Sequence, residues 1–119
     1  MRVLTVDDSA SMRALLHATL KSRGFEVEQA EDGAEALEWL RENQVDLVIT
    51  DINMPRLDGF GLIERLREGR VHEGRPILVL TTESSDSKKA RARAAGATGW
   101  IVKPFDADKL TTAIRRVTH

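Results

Sequence analysis

Four short apolar runs restrict what this 119-residue chain can become. Val3-Leu4-Thr5-Val6 leads into Asp7-Asp8, and Leu47-Val48-Ile49-Thr50 leads into Asp51. Ile77-Leu78-Val79-Leu80 leads into Thr81, and Trp100-Ile101-Val102 leads into Lys103-Pro104. Runs apolar at nearly every position have no polar side to turn to water, so they read as parallel strands covered on both faces. Parallel strands need crossovers, and the stretches between the runs have helical spacing. Ser9 or Ser11 can cap a helix whose stripe is Met12, Leu15, Leu16, Thr19 and Leu20, closed by Gly24. Phe25 to Ala30 reads as a partly polar strand at a sheet edge. Asp32-Gly33 turns into a helix through Asn43, with Leu37 and Leu40 inward. A loop from Asp51 to Gly59 leads to a helix carrying Leu62, Ile63 and Leu66, and Asp58 reads as a turn or cap residue there. Gly69 to Pro76 is a polar loop. The fourth helix, Asp86 to Ala95, offers only Ala90, Ala94 and Ala95 as apolar contacts and should be the most loosely held element. Asp106 caps a last helix with Leu110, Ala113, Ile114 and Val117 inward. The alternation specifies an α/β fold, a doubly wound parallel sheet with right-handed crossovers.

In such sheets ligands bind outside the carboxyl ends of the strands. Asp7, Asp8, Asp51, Thr81 and Lys103 should therefore converge at one edge. Three packed carboxylates repel one another unless a cation lies among them, and their oxygens suit a hard divalent ion such as Mg²⁺. Lys103 adds a charge that can pair with a phosphate. The set describes a magnesium-assisted phosphoryl-transfer site.

The bulk numbers narrow the class further. At 119 residues, 41% hydrophobic and 31% charged, one soluble domain over residues 1–119 is expected. A net charge of -1 gives no global drive toward nucleic acid or an anionic membrane. The absence of cysteine rules out disulfides and thiolate metal sites and fits a cytoplasmic location. No stretch reads as a signal peptide or a membrane span. The last helix is expected to end the chain, without an output domain.

Val6-Asp-Asp-Ser9, Asp51-Ile-Asn-Met-Pro-Arg-Leu-Asp-Gly59, Thr81 and Gly99-Trp-Ile-Val-Lys-Pro-Phe105 together resemble a response-regulator receiver domain of the stand-alone chemotaxis, CheY-like type. Each piece alone is weak; their order, spacing and strand-end placement are specific. The resemblance implies a flavodoxin-like five-stranded sheet of order 2-1-3-4-5. It makes Asp51 the acceptor of a phosphoryl group from the phosphohistidine of a CheA-like histidine kinase. Asp8 and Asp51 would ligate Mg²⁺ directly, with Asp7 acting mainly through water and the Asn53 backbone carbonyl as a third protein oxygen. Lys103 and Thr81 would each engage a phosphoryl oxygen, and Lys103-Pro104 would be cis. Trp100 takes a switch position that usually holds Tyr or Phe. Thr82 replaces a smaller residue, and Asn53 and Glu83 would flank the phosphoryl group and modulate its loss.

The fourth helix, fifth strand and last helix form the partner face in the resembled family. The basic run Lys88, Lys89, Arg91 and Arg93 there is by default a solvated face. It could instead meet acidic protein segments or, as a minor alternative, an anionic nucleotide. His17, His72 and His119 lack metal-ligand spacing and read as incidental. Expected partners are the kinase and, further, a flagellar motor switch protein or a phosphatase, with the chain acting as a monomer. The protein would catalyse only its own phosphorylation and dephosphorylation. A phosphorelay intermediate or phosphate sink is the alternative within this class. An Asp-nucleophile phosphohydrolase is more distant, because Asn53 stands where such enzymes carry a second Asp as general acid.

Overall fold

A computed structural model describes residues 1–69 and 74–118. Five strands alternate with five helices: β1 (Arg2–Val6), α1 (Ala10–Ser22), β2 (Glu26–Ala30), α2 (Gly33–Leu40), β3 (Leu47–Thr50), α3 (Gly59–Glu68), β4 (Ile77–Thr81), α4 (Asp86–Ala95), β5 (Gly99–Val102) and α5 (Ala107–Val117). All strand pairs are parallel, and the order is β2-β1-β3-β4-β5. This is the doubly wound, flavodoxin-like sheet expected from the alternation and the resemblance.

The strand period divides the core between the two faces. Val48, Ile77 and Val79 face α2, α3 and α4, joining Leu40, Phe60, Leu62, Ile63, Leu66 and Ala92. Leu47, Ile49, Leu78 and Leu80 face the other way, joining Leu16 and Leu20 of α1 and Leu110 and Ile114 of α5. The central strands β3 and β4 are buried at every position. The outer strands are not, and here the sequence expectation for the fourth apolar run, Trp100-Ile101-Val102, is corrected. β5 is an edge strand with Trp100 and Ile101 half-buried and Val102 exposed, because only one neighbour pairs with it. β2, at the other edge, exposes its polar residues as expected.

The helices decide one open choice and correct three further details. Ser9, not Ser11, caps α1, its hydroxyl accepting from the Met12 N–H at 3.2 Å. Leu15, expected inward, is 52% exposed, because burial in α1 follows the Leu16–Leu20 line and Leu15 falls to one side of it. The second helix stops at Leu40, not Asn43. The N–H groups of Arg41 and Glu42 reach back only three residues, to Glu38 and Trp39, and the Asn43 side-chain amide bonds the Trp39 carbonyl at 2.8 Å. In α4 the buried alanine is Ala92; Ala90 and Ala94 are exposed and Ala95 is half-buried. Of the polar stretch from Gly69 to Pro76, residues 70–73 lie outside the described residues.

Candidate functional site

The sheet register brings the acidic residues together. Val6 pairs with Thr50, so Asp7 and Asp51 follow side by side at the carboxyl edge. Strand bonding continues one residue further on each: Asp51 N–H donates to the Val6 carbonyl at 2.9 Å and Asp7 N–H to that of Ala30 at 3.1 Å. Gly59 starts α3 against this edge, where a side chain would collide with the Asp51 carbonyl oxygen. At β5, Thr81 pairs with Val102 and Lys103 N–H donates to the Thr81 carbonyl at 2.7 Å. Lys103 thus begins beside β4 and reaches across its end. Its Nζ lies 2.8 Å from Asp51 Oδ2 and 2.7 Å from Asp7 Oδ2. The Lys103–Pro104 peptide is cis.

The electrostatics follow from burial. The side chain of Lys103 is 10% exposed and that of Asp7 2%. Burial opposes the ammonium charge, but hydrogen bonds and charges from Asp51 and Asp7 outweigh it and hold the Lys103 pKa above its ordinary value. Lys103 is therefore a fixed cation at neutral pH. Asp7 Oδ1 accepts from the Ser9 N–H at 2.9 Å, and Asp51 Oδ1 from the Ile52 N–H at 2.6 Å. Asp8 is exposed, and its carboxylate accepts no hydrogen bond among the described residues. Oxygens of Asp7, Asp8 and Asp51 lie within 4.8 Å of one another. Three carboxylates against one ammonium leave a formal charge of -2. An all-oxygen cluster with that residual charge fits a hard dication such as Mg²⁺.

The remaining candidates lie around this centre. Thr81 is fully buried, and its hydroxyl accepts from the Glu83 N–H at 3.3 Å rather than contacting the carboxylates. Thr82 is exposed. Glu83 is a junction. Its carboxylate accepts from Lys88 Nζ at 2.9 Å and from Asn53 Nδ2 at 3.1 Å, and those two contacts lower its pKa, Lys88 the more. Its backbone carbonyl accepts the Trp100 indole N–H at 3.1 Å. Trp100 is thus tied by its one polar atom to the loop between β4 and α4. The basic run is not uniformly solvated. Lys88 holds Glu83, and the Arg91 guanidinium sits 4.0 Å above the Phe60 ring. Lys89 and Arg93 flank a cavity of about 60 Å³ beside Trp100. Asp58 caps α3, accepting from the Gly61 N–H at 2.8 Å. His17 shares a hydrogen bond with Gln29 at 3.1 Å, away from the site; His72 and His119 lie outside the described residues.

Two further residues beside the site, Arg13 and Arg56, escaped the sequence reading. Arg13 Nη1 donates to the Asp7 carbonyl at 2.7 Å, buttressing the acidic edge from the first turn of α1. Its spacing after Asp7-Asp8-Ser9 was a usable signal. Arg56 forms a two-pronged pair with Asp32 beside the loop that follows Asp51. No sequence spacing announces that pair, because the two residues lie on different loops. Among the described residues, no helix is long and apolar enough to cross a membrane.

Comparison with known proteins identifies the family. The response regulator receiver domain model matches residues 3–115. A gliding motility regulatory protein of Myxococcus xanthus is 40% identical over 119 residues, covering 99% of this chain and 15% of that protein. The response regulator MprA of Mycobacterium leprae is 40% identical over 115 residues, covering 97% of this chain and 50% of that protein. The chain therefore spans half or less of these curated relatives. The chemotaxis protein CheY4 of Vibrio cholerae superposes with a TM-score of 0.93 at 45% identity, covering 98% of this chain and 97% of that one. With the family model running through nearly all of its length and the CheY-type strand order, the chain belongs to the response regulator receiver domains of two-component systems.

Proposed function

We propose that Asp51 accepts a phosphoryl group from a kinase phosphohistidine, and that the acyl phosphate switches a partner-binding face. The observation that carries this is Lys103 Nζ, held between Asp51 and Asp7 with the unpaired Asp8 carboxylate alongside. Receiver domains are phospho-acceptor signalling modules with a Mg²⁺-binding acidic pocket, and they engage histidine kinases and downstream targets. Asp8, Asp51 and the Asn53 carbonyl would hold Mg²⁺ here, with Asp7 acting mainly through water. When bound, the ion neutralises charge on the phosphoryl oxygens.

The chain's own residues supply the rest. An Asp51 oxygen attacks phosphorus, the bond to the imidazole nitrogen breaks, and the leaving imidazole keeps the electron pair. The rigid strand end aims the nucleophile, so catalysis is positioning and charge stabilisation. Lys103 exchanges a carboxylate partner for a phosphoryl oxygen. The Thr81 hydroxyl donates to another, a bond that exists only in the phosphorylated state and so biases the β4–α4 loop. Asn53 and Glu83, already bonded to each other, flank the group and influence its hydrolysis, with Thr82 at the rim. Trp100 follows the loop through its bond to the Glu83 carbonyl. The output face is α4, β5 and α5, where Lys88, Lys89, Arg91 and Arg93 suit acidic partner segments.

The likeness to CheY4 favours a chemotaxis pathway, with a CheA-like kinase upstream and a flagellar motor switch protein or phosphatase as partner. The natural setting is the cytoplasm, with residues 1–119 acting as one domain. The receiver's presence within longer regulators keeps a relay or sink role as the second reading. Labelling tests the site. In Mg²⁺ with a small-molecule phosphodonor, wild type should take up one phosphoryl group and Asp51→Asn none, while folding normally. Equal labelling of that variant would remove Asp51 as acceptor.

A further inference from the structure

The loop from Asp51 to α3 would present the Asn53 carbonyl to Mg²⁺, and it is fastened on both flanks. On one side Asn53 bonds Glu83. On the other, Arg56 Nε donates to Asp32 Oδ2 at 2.7 Å and Arg56 Nη2 to Asp32 Oδ1 at 3.0 Å, fork to fork. The anchor is rigid. The Asp32 side chain is 4% exposed and also caps α2, Oδ1 accepting the Glu35 N–H at 2.9 Å. Beside it Gly33 N–H donates to the Leu57 carbonyl at 3.0 Å, an approach that any side chain at position 33 would block.

Arg56 itself has a φ of 66°, in the left-handed region that a residue with a Cβ adopts at a cost. Such a conformation persists where its surroundings hold it. Its ion pair is with Asp32, not with the site carboxylates. We propose that the Arg56–Asp32 pair is a positioning device: it locks the left-handed turn at Arg56 and so fixes where the Asn53 carbonyl stands for Mg²⁺. The inference rests on the Mg²⁺-assisted phosphoryl-transfer reading above.

Arg56→Gly tests it, because glycine accepts the left-handed turn without strain and removes the tether, and Asp32→Asn controls for the backbone freedom that glycine adds. Simple charge reasoning gives the opposite sign to positioning. Deleting a cation leaves the region more negative and should tighten Mg²⁺ binding; loosening the loop should weaken it. We expect calorimetric titration with MgCl₂ to show roughly tenfold weaker binding in Arg56→Gly, the scale of loss when a ligand's supporting contact is removed. Asp32→Asn, which keeps a good helix cap, should also weaken binding, and the double variant should lose no more than the stronger single one. Leu66→Ala, a core truncation away from the loop, should lower stability and leave Mg²⁺ affinity unchanged, which separates positioning from general destabilisation. Unchanged or tighter Mg²⁺ binding in Arg56→Gly, against normal wild-type binding, would overturn the positioning role alone. Failure of the wild-type protein to bind Mg²⁺ would overturn the phosphoryl-transfer reading and this inference with it.

Discussion

α3 and α4 are adjacent helices of ten residues each on the same face of the sheet, yet they are held in opposite ways. α3 buries Gly59, Phe60, Leu62, Ile63 and Leu66; α4 buries Ala92 alone. Beyond a half-buried Ala95 against the core, the rest of the hold on α4 is polar and peripheral. Arg67 reaches from α3 to the Gly96 carbonyl with two donors, at 3.2 and 2.9 Å, and secures the C-terminal end. Gly96, at φ 120°, closes the helix in the left-handed region. Arg91 rests on Phe60 in the middle, and Lys88 holds Glu83 at the start. One helix is part of the core, and its neighbour is laid against it. The difference suits a switch, because an element with little buried apolar area costs little to shift.

Truncation should expose that contrast most strongly. Leu66→Ala removes a fully buried side chain and should cost about 3 kcal/mol, whereas Ala92→Gly in α4 should cost about 1 kcal/mol, mostly helix propensity. Urea unfolding measures both, and hydrogen exchange should find α4 amides opening well before those of α3. Equal costs, or equal protection, would break the comparison.

The loops leading into the two helices differ in the same sense, and pH and salt read that difference with a smaller effect. Ahead of α3, the Arg56 hydrogen bonds hold the Asp32 carboxyl below its ordinary 3.8, against the opposing effect of burial. Between the depressed folded value and 3.8 the unfolded chain binds more protons, so stability rises with pH. The contribution is complete above about 3.8 and is lost as pH falls through the folded value. Asp32→Asn should therefore be less stable than wild type at pH 7, with the gap closing in acid. Part of that gap should survive 1 M NaCl, since the Asp32 carboxylate is buried and salt does not remove its paired hydrogen bonds, although the 60% exposed Arg56 side chain is open to screening. A pH-independent gap would show that the substitution acts through packing instead.

How much of this was legible in sequence depended on locality. The central strands could be read because apolar runs such as Leu47–Thr50 carry their burial in composition. The convergence of Asp7, Asp51 and Lys103 could be read because each directly follows a strand. The loose hold on α4 was also visible, although its buried alanine was misplaced: Ala90, Ala92 and Ala94 alternate among basic residues, and only packing against α3 selects Ala92. The Asp32–Arg56 pair and the Trp100–Glu83 bond were invisible, because each joins loops whose approach depends on the assembled sheet. Leu15 was misread because spacing gives the width of an apolar stripe but not which flank the neighbouring elements cover.

The smallest effect should come from the contact that starts α4. Lys88 and Glu83 lie at the surface, with side chains 43% and 29% exposed, so their pairing should contribute little to stability. Lys88→Gln should leave the urea midpoint nearly unchanged and should erase any residual difference in 1 M NaCl, unlike Asp32→Asn. Its consequence should be local. Glu83 would keep Asn53 as a side-chain partner while losing the link to α4, and Trp100 reports on that loop through the Glu83 carbonyl. In a Trp39→Phe background, which leaves Trp100 as the sole indole, Lys88→Gln should shift the emission or its quenching. Beryllofluoride with Mg²⁺, a mimic of the acyl phosphate, should shift it further by drawing Thr81 toward the site. If Trp100 emission ignored both changes while Asp51 still accepted phosphate, the β4–α4 loop would not be coupled to the indole, and the loose packing of α4 would have to serve the switch by another route.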